Sequence, residues 1–250
     1  MVTVSDVLLT IAFIILSYLI GAIPFGLIIG KGIKHIDIRE RGSGNIGSTN
    51  AIRVLGKPVG FLVFFCDVFK GMLVIIILKI LQSTGVWTTP IDCFFYGAAA
   101  IIGHSFSCFL KFKGGKAVAT SLGVVLVLTP TPAIACLVVF LIILYTTGYV
   151  SLASTGATIT VVSTTWILYA FGIDSTNIFE YFIQNPGLLV SISYSVLSLL
   201  IIIKHFKNYK RLINGTESNF KKKKKLEKEN ALKNETNENT NVEENNIENK

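Results

Sequence analysis

Apolar residues run along this chain in unbroken blocks, and basic residues stand between the blocks rather than alternating with them. Crossing roughly 30 Å of hydrocarbon takes about 20 helical residues. Blocks of that order lie near 7–30, 58–81, 91–110, 132–149, 155–171 and 187–203. A seventh, 117–129, is short and runs into Thr129-Pro130-Thr131-Pro132, whose prolines break a helix, so it is predicted as a thin crossing or a re-entrant element lining a cavity. The pattern predicts an all-α polytopic membrane protein of about seven transmembrane helices.

Charge fixes the expected orientation. Of the 23 lysines and arginines, six fall in the 31–57 loop, three in the 111–116 loop and twelve after Ile203, while the loops at 82–90 and 172–186 carry none. By the positive-inside rule the N-terminus is expected outside and the C-terminus cytoplasmic, which requires an odd number of crossings. Only Lys70 and Lys79 among the lysines and arginines interrupt apolar stretches. The run 7–29 has no positive charge before Lys31, the reverse of a secretory leader's basic start, and is expected to stay as the first span. From Thr216 onward the composition turns to Lys, Glu and Asn, which cannot bury enough surface to offset chain entropy. The division expected is a membrane-embedded domain over 1–215 and a disordered tail over 216–250, whose consecutive lysines at 221–225 either touch anionic membrane lipid or, the preferred reading, serve as a solvated topology anchor.

Cys66, Cys93, Cys108 and Cys136 are scattered through apolar sequence without a CxxC pair, so they read as small buried residues rather than as a metal site or a disulfide framework. No metal, no organic cofactor and no nucleic-acid partner is expected.

Four polar constellations stand out in the wrong solvent. The first is Gly42-Ser43-Gly44-Asn45-Ile46-Gly47-Ser48-Thr49-Asn50 with Arg53. Glycines let backbone amides approach an anion, hydroxyl and amide side chains add neutral donors, a following helix presents its positive end, and Arg53 offers a bidentate fork. The spacing Gly42-x-Gly44-x-x-Gly47 matches a dinucleotide fingerprint and Asp67 lies twenty residues beyond Gly47, but that fingerprint needs a strand before it and Asp67 sits in a membrane-length run. An NTPase phosphate loop is excluded because Ser48 stands where its lysine belongs.

The second is Gly103-His104-Ser105-Phe106 leading to Phe112-Lys113-Gly114-Gly115-Lys116. A titratable His104 inside an apolar run is costly unless partnered, and Gly114-Gly115-Lys116 is predicted to open the short helix and aim an ammonium at an anion. The third is Ser151-Leu152-Ala153-Ser154, two hydroxyls one helical turn apart; the fourth is His205 and Asn208 at i and i+3. Asp67 and Lys70 share that spacing inside the second span, where they are expected to neutralise each other or Arg53 and support the site.

In this order and on this frame, the motifs resemble the PlsY family, bacterial acyl-phosphate:glycerol-3-phosphate acyltransferases that begin phospholipid synthesis. The resemblance covers residues 1 to about 217 and rests on Ser43-Gly44-Asn45-x-Gly47-x-Thr49-Asn50-x-x-Arg53, Gly103-His104-x-Phe106, Phe112-Lys113-Gly114-Gly115-Lys116, Ser151-Leu152-Ala153-Ser154, His205-x-x-Asn208 and Gly215-x-Glu217. Three departures are visible: Ser48 for the usual Ala, Ser107 for Pro and Ala117 for Gly. The resemblance implies two substrates, a fatty acyl phosphate held by its tail among helices and glycerol-3-phosphate from the cytoplasm, with functional coupling to an acyl-phosphate synthase. It implies Ser43, Gly44, Asn45, Gly47, Thr49, Asn50, Arg53, Gly114, Gly115 and Lys116 as phosphate ligands, and Ser151, Ser154, His205, Asn208 and His104 as groups that position the reacting atoms. No histidine is followed five residues later by Asp, so the base is either His205 or the acyl phosphate's own oxygen, and the resemblance favours the second. It also implies a bacterial cell membrane, the inner one where there are two, with the site facing the cytoplasm. A transporter of phosphate or an organic phosphate would use similar donors at broken helices, but nearer the bilayer midplane and on pseudo-symmetric halves.

Overall fold

The computed structural model describes residues 2–172 and 186–222, and every regular element among them is helical. The elements are α1 (Val4–Ala22), α2 (Phe25–Lys34), α3 (Ser48–Leu55), α4 (Lys57–Ser83), α5 (Phe94–Ser105) with a 3₁₀ turn (Cys108–Leu110), α6 (Val118–Leu128), α7 (Pro130–Thr147), α8 (Val150–Ala170), α9 (Gly187–Lys204) and α10 (Phe206–Ile213). Among the described residues five helices, α1, α4, α7, α8 and α9, are long and apolar enough to cross a membrane, while α5 and α6 are shorter. The segment at 173–185 and the tail at 223–250, which carry part of the orientation expectation and most of the disorder expectation, lie outside the described residues.

The block at 7–30 is two helices, not one. Pro24 has no amide hydrogen to continue the ladder, so α1 stops at Ala22 and α2 begins at Phe25. The carbonyls at the break are taken up from elsewhere: Ser107 Oγ donates to Ala22 O at 2.6 Å, and Lys70 Nζ donates to Ile23 O at 2.8 Å. Lys70 also pairs with Asp67 at 2.8 Å. The two charges therefore neutralise each other, as expected, and brace a broken helix besides. At the opposite end α1 begins with a capping box of Thr3 and Asp6, and Asp6 also accepts from Trp87 Nε1 at 2.9 Å.

The remaining boundaries follow turn chemistry. The Thr-Pro segment ends α6 at Leu128 and starts α7 at Pro130, where a missing amide hydrogen costs nothing. α8 starts at Val150, earlier than its apolar run, which places Ser151 and Ser154 in its first turns. The short helix runs over Val118–Leu128, within a residue of the predicted 117–129 at each end, and Ala117, left-handed at φ 60°, separates it from the glycines of the preceding loop.

Close packing comes from small residues. A Cβ on Gly21 would stand 2.2 Å from Ala100 O, and one on Gly103 2.2 Å from Tyr18 O, so α1 and α5 touch backbone to backbone. Leu62, Phe65 and Phe69 on α4 and Leu141 and Ile142 on α7 are exposed, as a lipid-facing surface requires.

Candidate active site

The α2–α3 loop is shaped from within by Asn50, which is 1% exposed. Its Oδ1 accepts from the Ser43 amide at 2.8 Å, and its Nδ2 donates to the carbonyls of Ile38 at 2.8 Å, Asn45 at 2.9 Å and Arg41 at 3.2 Å. That uses the hydrogen-bonding capacity of the amide. Asn50, expected as a phosphate ligand, thus holds the loop's own backbone. Asn45 Oδ1 accepts from the Gly47 amide at 2.8 Å in a local turn. Gly42 and Gly44 have φ of 63° and 71°, values that only glycine adopts without strain. Ser43, Gly44 and Thr49 are exposed on the outer surface of this fold, and Gly47 caps α3. Two further cations of the segment are engaged elsewhere, since Arg39 and Lys31 both pair with Asp37, at 2.6 and 3.3 Å.

The α5–α6 loop is set by His104. The Gly115 amide donates to His104 O at 2.9 Å, and a Cβ on Gly115 would lie 2.2 Å from His104 Nε2. On its other side His104 Nδ1 is 3.6 Å from Asp67 Oδ1. The buried imidazole is therefore sandwiched between the Asp67–Lys70 pair and the glycine loop, and His104 acts on the loop that carries Lys116. Gly114 is equally tight, 2.0 Å from His104 O at a hypothetical Cβ. These glycines are dictated by the approach to His104, and the Gly115 amide, expected as a phosphate donor, is engaged by His104 O.

The loop's end and the α9–α10 junction meet at Lys116. Its Nζ donates to Asn208 Oδ1 in a close hydrogen bond. Asn208 Nδ2 donates to Glu217 Oε1 at 2.7 Å, and Arg211 Nε donates to Glu217 Oε2 at 2.7 Å. Ser151 Oγ is buried beside the Glu217 carboxylate, which it helps to hold ionised without making a hydrogen bond of full geometry. Ser154 is buried one turn further along α8, and Thr155 shares a hydrogen bond with Tyr209 of α10 at 2.7 Å. His205 is 2% exposed and its Nδ1 donates to Ile201 O at 2.8 Å, which leaves Nε2 as an acceptor.

Electrostatics tie the elements together. Burial draws the Lys116 ammonium down to about 8, opposed by Glu217 and helped by Arg211 and Arg53. Burial likewise lowers Arg53, with Glu217 opposing and Arg211 adding to the shift, so Arg53 feels the same cluster. The Glu217 carboxyl is held below its ordinary value because hydrogen bonds from Arg211 and Asn208 outweigh the cost of burial. His205 is pushed to about 4 by burial and by Lys116, so it is neutral at ordinary pH.

Of the sequence-predicted residues, then, Arg53, Lys116, Ser151, His205 and Asn208 are brought into one electrostatic and hydrogen-bonded cluster. Asp67, Lys70 and His104 form a second one behind the glycine loop. Glu217 and Arg211 are members that sequence reasoning left out. Gly215-x-Glu217 was visible as a motif, but Glu217 fell on the far side of the expected domain boundary. Thr216–Lys222 in fact packs back on the helices, through Glu217 and through Asn219 Nδ2 donating to Thr147 O at 2.9 Å. Among the described residues no three His, Cys, Asp or Glu side chains gather as a metal site.

The cluster offers cations, an acceptor imidazole and a serine hydroxyl in a helical membrane protein, which is the equipment for holding an anion beside a reacting hydroxyl. Comparison with known proteins agrees with that chemistry. The family model described as glycerol-3-phosphate acyltransferase matches residues 11–215. A glycerol-3-phosphate acyltransferase of Acholeplasma laidlawii is 43% identical over 231 residues, covering 88% of this chain and 96% of that protein. One of Staphylococcus aureus (strain Newman) is 42% identical over 219 residues, covering 86% and 99%. The crystal structure of PlsY (YgiH), an integral membrane glycerol 3-phosphate acyltransferase, in its glycerol 3-phosphate form aligns with TM-score 0.67 and 38% identity, covering 84% of this chain and 94% of that one. Its lysophosphatidic acid form aligns with TM-score 0.65 and 37% identity. With its motifs, its helical membrane fold and its polar cluster in agreement, the chain belongs to the glycerol-3-phosphate acyltransferase family.

Proposed function

We propose that this membrane-embedded acyltransferase moves an acyl group from a fatty acyl phosphate to the 1-hydroxyl of glycerol-3-phosphate, giving 1-acyl-glycerol-3-phosphate and inorganic phosphate, as the first step of phospholipid synthesis. The observation that carries the reading is the convergence of Arg53, Lys116, Ser151, His205 and Asn208 from four separate segments on one cation-rich cluster.

A mixed anhydride already has a good leaving group, so the protein mainly has to hold two anions together and align the hydroxyl. Lys116 and Arg53 hold phosphate oxygens, and the Ser43–Thr49 loop adds the Ser43 and Thr49 hydroxyls and the Asn45 side-chain amide, while Gly44 and Gly47 shape the loop, their own amides and that of Ser43 being engaged within it. His205 Nε2, Ser151 and Ser154 orient the glycerol hydroxyl and the acyl carbonyl. The 1-hydroxyl oxygen attacks the carbonyl carbon and the bond from that carbon to the phosphate oxygen breaks. A base of pKa about 4 is weak, so His205 accepts a hydrogen bond while the departing phosphate takes the proton.

The frame that suits this chemistry has seven crossings, the five long helices together with α5 and α6, with the N-terminus outside and the site facing the cytoplasm of a bacterial cell. The water-soluble substrate is met there, and the acyl phosphate arrives from within the membrane, supplied by a synthase acting beside it. The test incubates purified protein with palmitoyl phosphate and labelled glycerol-3-phosphate, with palmitoyl-CoA as the alternative donor. Lysophosphatidate from the acyl phosphate alone is expected. No product from either donor would overturn the enzyme reading, and product from palmitoyl-CoA alone would overturn the donor.

A further inference from the structure

α10 follows α9 across the single residue His205 and lies against the ends of two other membrane-length helices. Tyr209 shares a hydrogen bond at 2.7 Å with Thr155 in the second turn of α8. Beyond α10 the chain returns to the end of α7, where Asn219 Nδ2 donates to Thr147 O at 2.9 Å, the Phe220 amide to Gly148 O at 2.7 Å and Lys221 Nζ to Thr146 O at 2.8 Å. Both α7 and α9 are long and apolar enough to cross a membrane, and both end here. α10, eight residues long and too short to cross, therefore lies where those helices leave the hydrocarbon.

Its two sides differ in chemistry. At about 100° per residue, Phe206 and Ile213 share one face and Asn208 stands on the opposite one. Asn208 is buried and accepts from Lys116, whereas Phe206 and Ile213 are 70% and 86% exposed. They extend an apolar stripe of α9: Val196, Leu199 and Ile203 are exposed as well, and 196, 199, 203, 206 and 213 follow at the three-, four- and seven-residue steps of one helical face. Lys207 and Lys210 flank the stripe, and Lys221 and Lys222 follow on the returning segment, all of them exposed. Glu217, the one acidic residue between Lys204 and Lys222, is turned inward to Asn208 and Arg211. An exposed apolar stripe bordered by lysines, with no carboxylate facing outward, is complementary to an anionic bilayer surface, and it continues a face of α9 that meets acyl chains.

We propose that α10 is an interfacial helix, with Phe206 and Ile213 seated among lipid acyl chains and Lys207, Lys210, Lys221 and Lys222 at the headgroups of anionic lipid, and that this seating holds Asn208 against Lys116. The effect on Asn208 rests on the acyltransferase reading and deepens it. A helix fixed by lipid on its outer face and by Lys116 and Thr155 on its inner face has one orientation. Without lipid, a helix of this length has little stability of its own, and Asn208 loses its aim.

The experiment places the full-length protein in nanodiscs of phosphatidylcholine, alone or mixed with phosphatidylglycerol. Emission of Ile213→Trp, read as the difference from wild type with its own Trp87 and Trp166, is expected to be quenched by lipid brominated on the acyl chain, and more strongly in the anionic discs. Each lysine near an anionic surface favours association about fivefold, so the pair Lys207→Gln and Lys210→Gln weakens the seating by about 30-fold. Wild-type kcat, measured at saturating substrates so that surface charge does not alter their supply, is expected to be at least about threefold higher in the anionic discs, and the Gln pair to lose that difference while staying within about twofold of wild type in neutral lipid. The pair Lys207→Arg and Lys210→Arg, which keeps the charge, is expected to keep the response. A wild type inactive in both discs would overturn the acyltransferase reading and the effect on Asn208 with it, and quenching alone then decides the seating. With an active wild type, unquenched Ile213→Trp would overturn the seating and leave the stripe to a protein partner. Equal kcat in the two lipids, a Gln pair that keeps the response or an Arg pair that loses it would overturn the role of anionic lipid. So would a loss in both discs that tracks a lowered melting temperature, which would make the lysines folding residues.

Discussion

Replacing Gly115 by alanine tests how the buried histidine positions the site. The added Cβ would lie 2.2 Å from His104 Nε2, and ordinary contact begins at 3.4 Å, so loop and ring must separate by about 1.2 Å. The ring has nowhere easy to go, since Asp67 stands 3.6 Å from its other nitrogen and His104 is 4% exposed. The displacement therefore falls on the loop, and Lys116 is the next residue along it. A misplacement of about 1 Å in a positioning group costs on the order of 100-fold in rate, or about 2.7 kcal/mol of transition-state stabilisation. The assay is kcat/KM for glycerol-3-phosphate with palmitoyl phosphate as donor, alongside a thermal melt in detergent to separate misplacement from unfolding. Because the methyl collides with the imidazole, His104→Ala in the same chain should relieve part of the defect, a coupling that additive effects would not produce. Activity of Gly115→Ala within about threefold of wild type, or a double variant no better than the product of the two singles, would refute the reasoning.

Ala117→Gly should raise stability by about 1 kcal/mol, because Ala117 is held at φ 60° where a side chain is strained. A melting temperature higher by about 2–4 °C checks it. Lys70→Met should destabilise the protein by about 3–5 kcal/mol by stranding a buried carboxylate, and Asp67→Asn in the same chain should restore part of the loss, read as yield of folded protein. Lys116 is cationic below its pKa of about 8 and neutral above it. kcat/KM for glycerol-3-phosphate should therefore fall as pH rises past that value, and a profile flat to pH 9.5 would contradict the assignment.

The apolar blocks and the basic loops locate most of this architecture because a bilayer imposes strong constraints on segment length and charge placement. The misreadings arise where one residue overrides a block. Pro24 splits a run that hydropathy joins, and its cost is hidden because Ser107 and Lys70, distant in sequence, take up the open carbonyls. Ser107, noted as a departure from the motif that the sequence resembles, uses its hydroxyl for this purpose. The glycine-rich loops are expected from sequence to bring backbone amides to an anion, whereas the close approaches in the structure are to the protein's own groups. For Gly115 it is the His104 ring, and for Gly42 it is the Asn50 side chain, 2.3 Å from a hypothetical Cβ. Asn50 looked like a ligand because amides often are, yet its partners are the loop's own carbonyls. Glu217 stands in the closing motif with no role expected of it from sequence, because it sits at the start of a polar run, and its hydrogen bonds with Asn208 and Arg211 show where it belongs.

The central claim is that Arg53 and Lys116, far apart in sequence, grip the same anion. Titrating glycerol-3-phosphate into purified protein by calorimetry, with Arg53→Ala, Lys116→Ala and the double variant, addresses it directly. A hydrogen bond to a charged group contributes about 1.5–3 kcal/mol, so each single variant should weaken binding by about 10- to 150-fold, and the double variant should lose less than the product of the two. Wild-type affinity retained in either single variant, or strictly multiplicative losses in the double, would contradict it.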